Sequence, residues 1–369
     1  MSHEVRVERK ELRRFIEHVF AACGVSEEHS RTAADVLCYA DEAGFDTHGV
    51  ANLERIYVTK LQGGRINPTA EFMIVSETPG IAVMDAGQGL GLVAGVHAMN
   101  LAIAKARQVG VGCVAVRNSS HFGGAGYYVK QALEAGMIGI AMSNLGAQTI
   151  ARPLNGTVNM LGSNPISMSA PADSLPPFVL EMGTTVVATG KVLAAKRKGE
   201  SIPEGWLVDD NGKPVTDPEA YYNGTGHIQM LGGSLETGGA KGYGLAVMVD
   251  ILCGALSGAK MGPDPSLLDP NNANAGKVDD DVGHFFLALD VAAFRPLKEF
   301  QSSMDTMLQA LLSCPTSSPE KKVVYAGYPE AMHQKNSNSI AIHQQLFESL
   351  EELASRLNIP SLAYSMSIS

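Results

Sequence analysis

The chain has 369 residues, 45% of them hydrophobic and 18% charged, the make-up of a globular protein with more buried surface than one ordinary core holds. A formal charge of -10 excludes partners that need clustered Lys and Arg, so neither nucleic acid nor an anionic membrane surface is expected. No run approaches the roughly 20 uninterrupted apolar residues of a membrane span, and the start Met1-Ser2-His3-Glu4-Val5-Arg6 lacks the apolar stretch of a secretory signal, so cytoplasmic placement is the expectation.

In chain order, Leu12, Phe15, Ile16, Val19, Phe20 and Cys23 mark a helix stopped by Gly24. Ser26 caps a second, running through Ala33, Val36, Leu37 and Ala40 to Gly44. The next segment, Asp46-Thr47-His48-Gly49-Val50-Ala51-Asn52-Leu53-Glu54-Arg55-Ile56-Tyr57, opens a third helix with Asp46 or Thr47 as its cap and His48 in its first turn. At about 100° per residue, Val50, Leu53, Tyr57 and Leu61 share a buried face, while His48, Asn52, Arg55 and Thr59 line the opposite one. An imidazole, an amide and a guanidinium on one stripe suit proton transfer on a small anion. On this segment alone, a solvated polar face with a surface histidine is the simpler reading.

Past Gly63-Gly64 the grain changes. Ile81-Asp85, Val111-Val116 and Met137-Ser143 read as strands, with helices over Leu92-Val109 and Ala125-Ala135 between them, a β-α-β-α-β grammar. From Pro153 to Gly233 the helical period disappears and short strands punctuated by Pro and Gly are expected, with a hairpin turn at Asp209-Asp210-Asn211-Gly212. Leu245-Ser257 reads as an apolar helix, Pro263-Asp281 as a polar surface excursion, and Met304-Leu312 and Leu346-Leu357 as closing amphipathic helices.

Gly87-Gln88-Gly89-Leu90-Gly91-Leu92 sits where a dinucleotide fingerprint belongs, but its third glycine falls on Leu92 and no acidic residue follows the next strand. A tight strand-to-helix turn explains the glycines equally well. Asn118-Ser119-Ser120-His121-Phe122-Gly123-Gly124 ends a strand and leads into a helix, a usual place for a ligand-binding loop, and His121 there has either a functional or a loop-bracing role. Gly238-Gly239-Ala240-Lys241-Gly242-Tyr243-Gly244 precedes an apolar helix and suits a dinucleotide pyrophosphate better than a nucleoside triphosphate, since Lys241 is followed by Gly242. Close helix packing is the alternative for its glycines. The only basic cluster, Lys196-Arg197-Lys198, is too short for nucleic acid, yet it can meet a phosphate. No metal is expected: His48, His121, His227, His284 and His333 lack i, i+4 spacing, and Cys23, Cys38, Cys113, Cys253 and Cys314 occur singly, as reduced thiols do.

These motifs, with Leu161-Gly162-Ser163-Asn164-Pro165 and Ile202-Pro203-Glu204-Gly205-Trp206, resemble the malate/L-lactate dehydrogenase family that lacks the Rossmann fold, nearly end to end from Leu12 to about Glu330. The resemblance implies an α/β (mixed α+β) fold with a predominantly antiparallel sheet, to which the parallel order of the β-α-β grammar yields. It divides the chain into an N-terminal helical segment (1–75), an NAD(P)-binding α/β domain (76–295) and a C-terminal helical segment packing on the first (296–369).

It further implies an NAD(P)-dependent oxidoreductase acting on a small 2-oxo or 2-hydroxy acid as a homodimer, with the active site near the subunit contact. His48 matches the proton donor or acceptor, with His121 beside it. Ser143, Asn144, Glu181, Met182, Gly183, Lys241, Gly242 and Gly327 match positions against the dinucleotide. Glu181 and Gly183 depart from the family's Asp-Met-Ala-Thr run, which leaves the choice of NAD or NADP open. Asn52 departs too, standing where many members carry the arginine that holds the substrate carboxylate, and Arg55 on the same stripe is the candidate replacement unless it merely pairs with Glu54 or Asp46. Reduction of a cyclic imino acid and a non-catalytic dinucleotide-binding role are the alternatives.

Overall fold

The computed structural model describes residues 4–45, 48–269, 271–272, 276–278, 281–336 and 338–364; the expected Asp46 or Thr47 cap and part of the 263–281 excursion lie outside them. The chain opens with strand β1 (Glu4–Glu8) and helices α1 (Arg9–Ala22) and α2 (Glu27–Ala43). Leu12, Phe15, Ile16, Val19 and Phe20 form the buried face of α1, the spacing that the helical period demands. Ser26 caps α2 by accepting the His29 N–H at 3.2 Å, and Gly44, at φ +85°, ends it in the left-handed conformation that glycine adopts without strain.

After a mixed helical stretch ending in α3 (Thr59–Gln62) come β2 (Met73–Glu77), β3 (Ile81–Asp85), α4 (Gly91–Val109), β4 (Val111–Ser119), α5 (Gly126–Glu134) and β5 (Met137–Ser143). β6 (Ile166–Ala170) and β7 (Phe178–Met182) follow, then α6 (Thr189–Lys198), β8 (Leu207–Val208), β9 (Pro214–Val215), α7 (Glu219–Tyr222), β10 (His227–Ile228) and α8 (Gly239–Val249). The chain closes with β11 (Val282–Asp290), α9 (Leu297–Leu312), α10 (Tyr328–Asn336), β12 (Ser339–His343) and α11 (Gln344–Leu357).

Seven strands form the central sheet in the order β2-β3-β4-β11-β5-β6-β7. Only β3 and β4 run parallel, joined by α4; every other pairing is antiparallel. The decisive strand is β11, which the sequence reading leaves without an element. It inserts between β4 and β5, with Phe286 opposite Val114 on one side and Ala141 on the other, so the second and third strands of the β-α-β-α-β grammar do not pair. The mostly antiparallel sheet of the resemblance is what the chain adopts.

Two expectations fail locally. α6 lies inside the stretch expected to lack helices; it buries only Val192, so no apolar stripe announces it. The basic cluster is its last turn, where cations complement the helix dipole, and Lys196 bonds Glu219 at 2.9 Å and lies over the Tyr222 ring. The helix expected from Leu245 begins at Gly239 and runs on through a π-helix, Asp250–Ala255. Its glycines hide it from propensity, yet a Cβ on Gly239 or Gly242 would collide with the backbone of Gly233 or Leu231.

The largest buried cluster joins α1, α2, α4 and α5 to β3, β4, β11 and α11. β1 pairs with β12, which ties the two chain ends together, whereas α9 packs through Met304 and Leu308 against Ala170 of β6.

Candidate active site

The stretch after Gly49 is helical but not of one kind: Val50–Asn52 is a 3-10 turn, Leu53–Val58 a π-helix and Thr59–Gln62 an α-helix. Val50, Leu53, Tyr57 and Leu61 are buried, as the apolar face requires. The polar face departs from expectation. His48 stands in a turn ahead of the first helical residue, and Asn52 is only 4% exposed. The i→i+5 bonding of a π-helix widens the turn and displaces a stripe drawn for an α-helix. Arg55, exposed, consequently reaches back and donates through Nη2 to Asn52 Oδ1 at 2.8 Å.

The backbone that follows His48 is anchored on one side, and another imidazole faces its ring on the other. Asp41, in the last turn of α2, accepts the Val50 N–H at 2.8 Å, and Gly49 lies so close to that carboxylate that a Cβ would collide with it. Sequence reasoning missed Asp41, although an acid in a last helical turn opposes the dipole and so hints at another task. On the other side, the His48 ring lies 6.1 Å from the His121 ring at an interplanar angle of 16°.

His121 is placed by the loop that follows β4. Ser120 accepts the Gly91 N–H at 2.9 Å and donates to the Gly89 carbonyl at 3.0 Å, and Gly91 packs directly on the Ser120 carbonyl where no Cβ fits. Gly91 of the 87–92 run therefore serves backbone packing against the histidine loop, whereas Gly87 and Gly89 pack on Ala70 and its neighbours. His121 Nδ1 accepts the Gly123 N–H at 3.2 Å and lies 2.7 Å from the Tyr57 hydroxyl. With Nδ1 accepting, the neutral ring carries its proton on Nε2. Tyr57, fully buried, reads in the sequence as a core residue only; apolar periodicity does not reveal where a hydroxyl points.

Beyond Gly123 lies a cleft of about 190 Å³ between α2, α5, β7 and α10, lined by Tyr39, Phe45, Lys130, Glu181, Gly327 and Glu330 among others. Glu181 accepts backbone N–H groups of Gly126 and Ala125 at the start of α5 and the Tyr39 hydroxyl at 3.4 Å. Burial outweighs those donors and pushes its carboxyl up to about 7. Gly327, at φ +90°, turns the chain so that Val179 N–H reaches the Ala326 carbonyl at 3.0 Å, and this sets Glu330 against the β7 wall with Oε2 buried and unpartnered. Glu330 belongs to Gly327-Tyr328-Pro329-Glu330, which loosely matches the family's Pro-Gly-x-Glu turn near the cofactor, whereas Tyr39 and Lys130 come from distant segments and gave no local signal.

The remaining expected residues form a neighbouring seam. Met182 ends β7 and Gly183 follows; Thr184 N–H bonds the Ser163 carbonyl at 2.8 Å, and Leu231 N–H bonds the Thr184 carbonyl at 2.9 Å. Gly242 packs on Leu231, so the start of α8 leans on the Glu181–Thr184 run, with Lys241 exposed in its first turn. The close-packing alternative accounts for Gly242 and leaves Lys241 without a structural task.

Ser143 and Asn144 are committed inside the fold. Asn144 Nδ2 donates to Asp250 at 3.1 Å and to the Lys260 carbonyl at 2.7 Å, while Oδ1 accepts from Gly146 and Gly283. Ser143 Oγ lies 2.9 Å from His284, whose pKa burial lowers to about 3, so that histidine is a neutral core residue. Asn164 also donates to Asp250, and its Oδ1 is buried without a partner. A larger cavity of about 340 Å³, lined by Arg152, Tyr221 and His227, touches none of the expected residues.

A model of the malate/L-lactate dehydrogenase family matches residues 7–351. The chain is 39% identical over 361 residues to malate dehydrogenase of Pyrococcus abyssi, covering 97% of this chain and 96% of that protein. It is 31% identical over 333 residues to ureidoglycolate dehydrogenase (NAD(+)) of Escherichia coli K12, 90% of each chain. The crystal structure of malate dehydrogenase from Entamoeba histolytica superimposes with a TM-score of 0.89 at 30% identity, over 97% of this chain and 99% of that one.

Proposed function

The chain belongs to the malate/L-lactate dehydrogenase family, and from that membership and the His48–His121–Tyr57 cluster we propose that it interconverts a small 2-oxo acid and its 2-hydroxy acid with NAD or NADP as cofactor, working as a homodimer. The observation that carries the reading is the pair of near-parallel imidazoles 6.1 Å apart, one of them fixed by a buried tyrosine. The residues present suit a dinucleotide. Two buried acceptors, Glu330 Oε2 and Asn164 Oδ1, lack donors, and an exposed lysine stands in the first turn of a helix, whose N-terminus favours phosphate.

The reduced nicotinamide, when bound, supplies hydride to C2 of the 2-oxo acid. His48 gives a proton to the substrate oxygen as negative charge develops there, and in the reverse direction neutral His48 takes it back. Arg55 and Asn52 hold the carboxylate and thereby orient C2. Ser143, Asn144, Glu181, Met182, Gly183, Lys241, Gly242 and Gly327 bound the dinucleotide's side of the site. Among these, the Ser143 and Asn144 side chains act by bracing the sheet end.

A fluorescence titration with NADH and NADPH, followed by turnover with a panel of 2-oxo acids, tests this directly; absence of binding by both dinucleotides overturns it. One neighbour favours a second reading: delta1-piperideine-2-carboxylate reductase from Pseudomonas syringae superimposes with a TM-score of 0.80. A cyclic imino acid in the panel separates the two, because only that reading expects it to outpace every 2-oxo acid. Binding without turnover of any of these substrates marks a non-catalytic dinucleotide-binding protein.

A further inference from the structure

The cavity of about 340 Å³ shares no lining residue with the His48–His121–Tyr57 cluster or with the cleft beside β7. Its volume lies at the small end of the range for small-molecule sites. Three segments wall it: the loop between β5 and β6, which brings Arg152 and Asn159; the α7–β10 corner, with His227; and the 263–281 excursion, with Leu267 and Lys277. Backbone pairing holds them together. Ala151 bridges to both Leu161 and Ile228, and the Thr149 N–H bonds the Gly276 carbonyl at 2.9 Å. A Cβ on Gly276 would collide with Thr149 Oγ1, so the excursion is seated closely on the loop.

Arg152 Nη1 donates to Asp210 Oδ1 at 2.8 Å, and its Nε is buried with no acceptor. The side chain is still 19% exposed, so an occupant reaches the guanidinium. Asn159 Oδ1 is buried with no donor. A wall with one donor and one acceptor unpaired is costly unless an occupant supplies both partners. His227 lies 3.0 Å from the same Asp210 oxygen, but burial and the Arg152 charge lower its pKa, so at neutral pH the ring is uncharged. Among the described residues that line the cavity, the charged ones are Arg152 and Lys277, both cations. Ile150, Val158 and Leu267 make part of the wall apolar.

We propose that this cavity is a second small-molecule site, for a monocarboxylate that carries a hydroxyl group on a short carbon skeleton. The carboxylate meets Arg152, the hydroxyl donates to Asn159 Oδ1, and the carbons lie on Ile150, Val158 and Leu267. Arg152 is shared with Asp210 and brings one unpaired donor, which suits a single carboxylate. A phosphate, with a second charge and a third acceptor oxygen, finds too few donors here.

The test is calorimetric titration of the full-length protein, without dinucleotide, with racemic 3-hydroxybutyrate, butyrate and inorganic phosphate. None of these is a 2-hydroxy acid. The hydroxy acid should bind at one site per chain with a dissociation constant of about 1 mM or tighter. It should bind about threefold or more tighter than butyrate, the scale of one hydrogen bond, with phosphate the weakest. Arg152→Met should weaken it by about tenfold or more, and Asn159→Leu should bring the two acids to the same affinity. No binding, a butyrate affinity equal to that of the hydroxy acid, or tighter binding of phosphate overturns the proposal in the unaltered protein. So does an unchanged affinity in a folded Arg152→Met protein, which puts the acid elsewhere, the proposed active site included. If circular dichroism shows that Arg152→Met does not fold, Asn159→Leu decides, and a preference for the hydroxy acid that survives it overturns the site. Dinucleotide binding enters none of these readings, so they fail or hold independently of the proposed function.

Discussion

The Tyr57 hydroxyl stands 2.7 Å from Nδ1 of His121, and because that nitrogen also accepts the Gly123 N–H, the pair fixes which side of the imidazole faces the reaction. Tyr57→Phe keeps the buried ring and removes only this contact. We expect kcat to fall about two- to tenfold, the worth of one hydrogen bond of roughly 0.5–1.5 kcal/mol. The pH–rate profile should move as well, since His121 Nδ1 then keeps the Gly123 N–H but not the tyrosine hydroxyl. A merely structural tyrosine leaves that profile where it was.

His48 carries the larger share. His48→Asn should fold, bind dinucleotide as before and lose on the order of 10²–10⁴ in kcat, the usual size of a general acid or base contribution. Turnover above about a tenth of the unaltered rate with a 2-oxo acid removes His48 from that role.

Lys241 lies exposed, so Lys241→Ala should leave the melting temperature unchanged while weakening dinucleotide binding about tenfold, as loss of a charge-assisted phosphate contact does. Affinity for a substrate analogue at saturating cofactor should stay the same. An unchanged cofactor titration assigns the lysine to the surface.

These residues differ in how visible they were. Helix ends were legible because Ser26 and Gly44 act through local chemistry, a cap or a left-handed turn, that needs no knowledge of the rest of the chain. The π-helix at Leu53–Val58 was not, since tertiary packing decides between i→i+4 and i→i+5 bonding, and that choice set Arg55 against Asn52. β11 escaped because it follows a long polar excursion and pairs with strands far back in the sequence. His48 announced itself on the polar stripe of an expected helix and His121 through its glycine-rich loop. Asp41 and the hydroxyl of Tyr57, which act around them, needed the fold.

Glu181 gives a test through pH. Its carboxyl is raised from 4.5 to about 7, with burial the main cause. The folded state therefore binds more protons than the unfolded chain between those values, so the group's contribution to stability is complete below pH 4.5 and is lost as pH rises through 7. The swing is on the order of 3 kcal/mol at most. Glu181→Gln cannot titrate. Its melting temperature relative to the unaltered protein should climb steadily from pH 5 to pH 8, whatever the offset at either end; a constant difference across that range means the carboxyl is ionised throughout.

The sharpest consequence concerns Arg55. Glu54 is taken by Arg356, so the surface pairing that offered the simplest account of Arg55 within the helix is not the one the chain makes. Its guanidinium instead bonds Asn52, and its charge opposes the burial that raises the Tyr57 and Tyr222 hydroxyls. An arginine in that place can present two parallel N–H groups to a carboxylate. An ammonium cannot, so Arg55→Lys should lower kcat/KM for 2-oxo acids by about tenfold or more while dinucleotide binding stays unchanged. Asn52→Arg in the Arg55→Ala background should recover part of the loss, because it returns the guanidinium to the position many relatives use. The variant kinetics separate this role from a surface contact worth about 0–1 kcal/mol. A change below about threefold in kcat/KM for both Arg55→Lys and Arg55→Ala removes Arg55 from the carboxylate site.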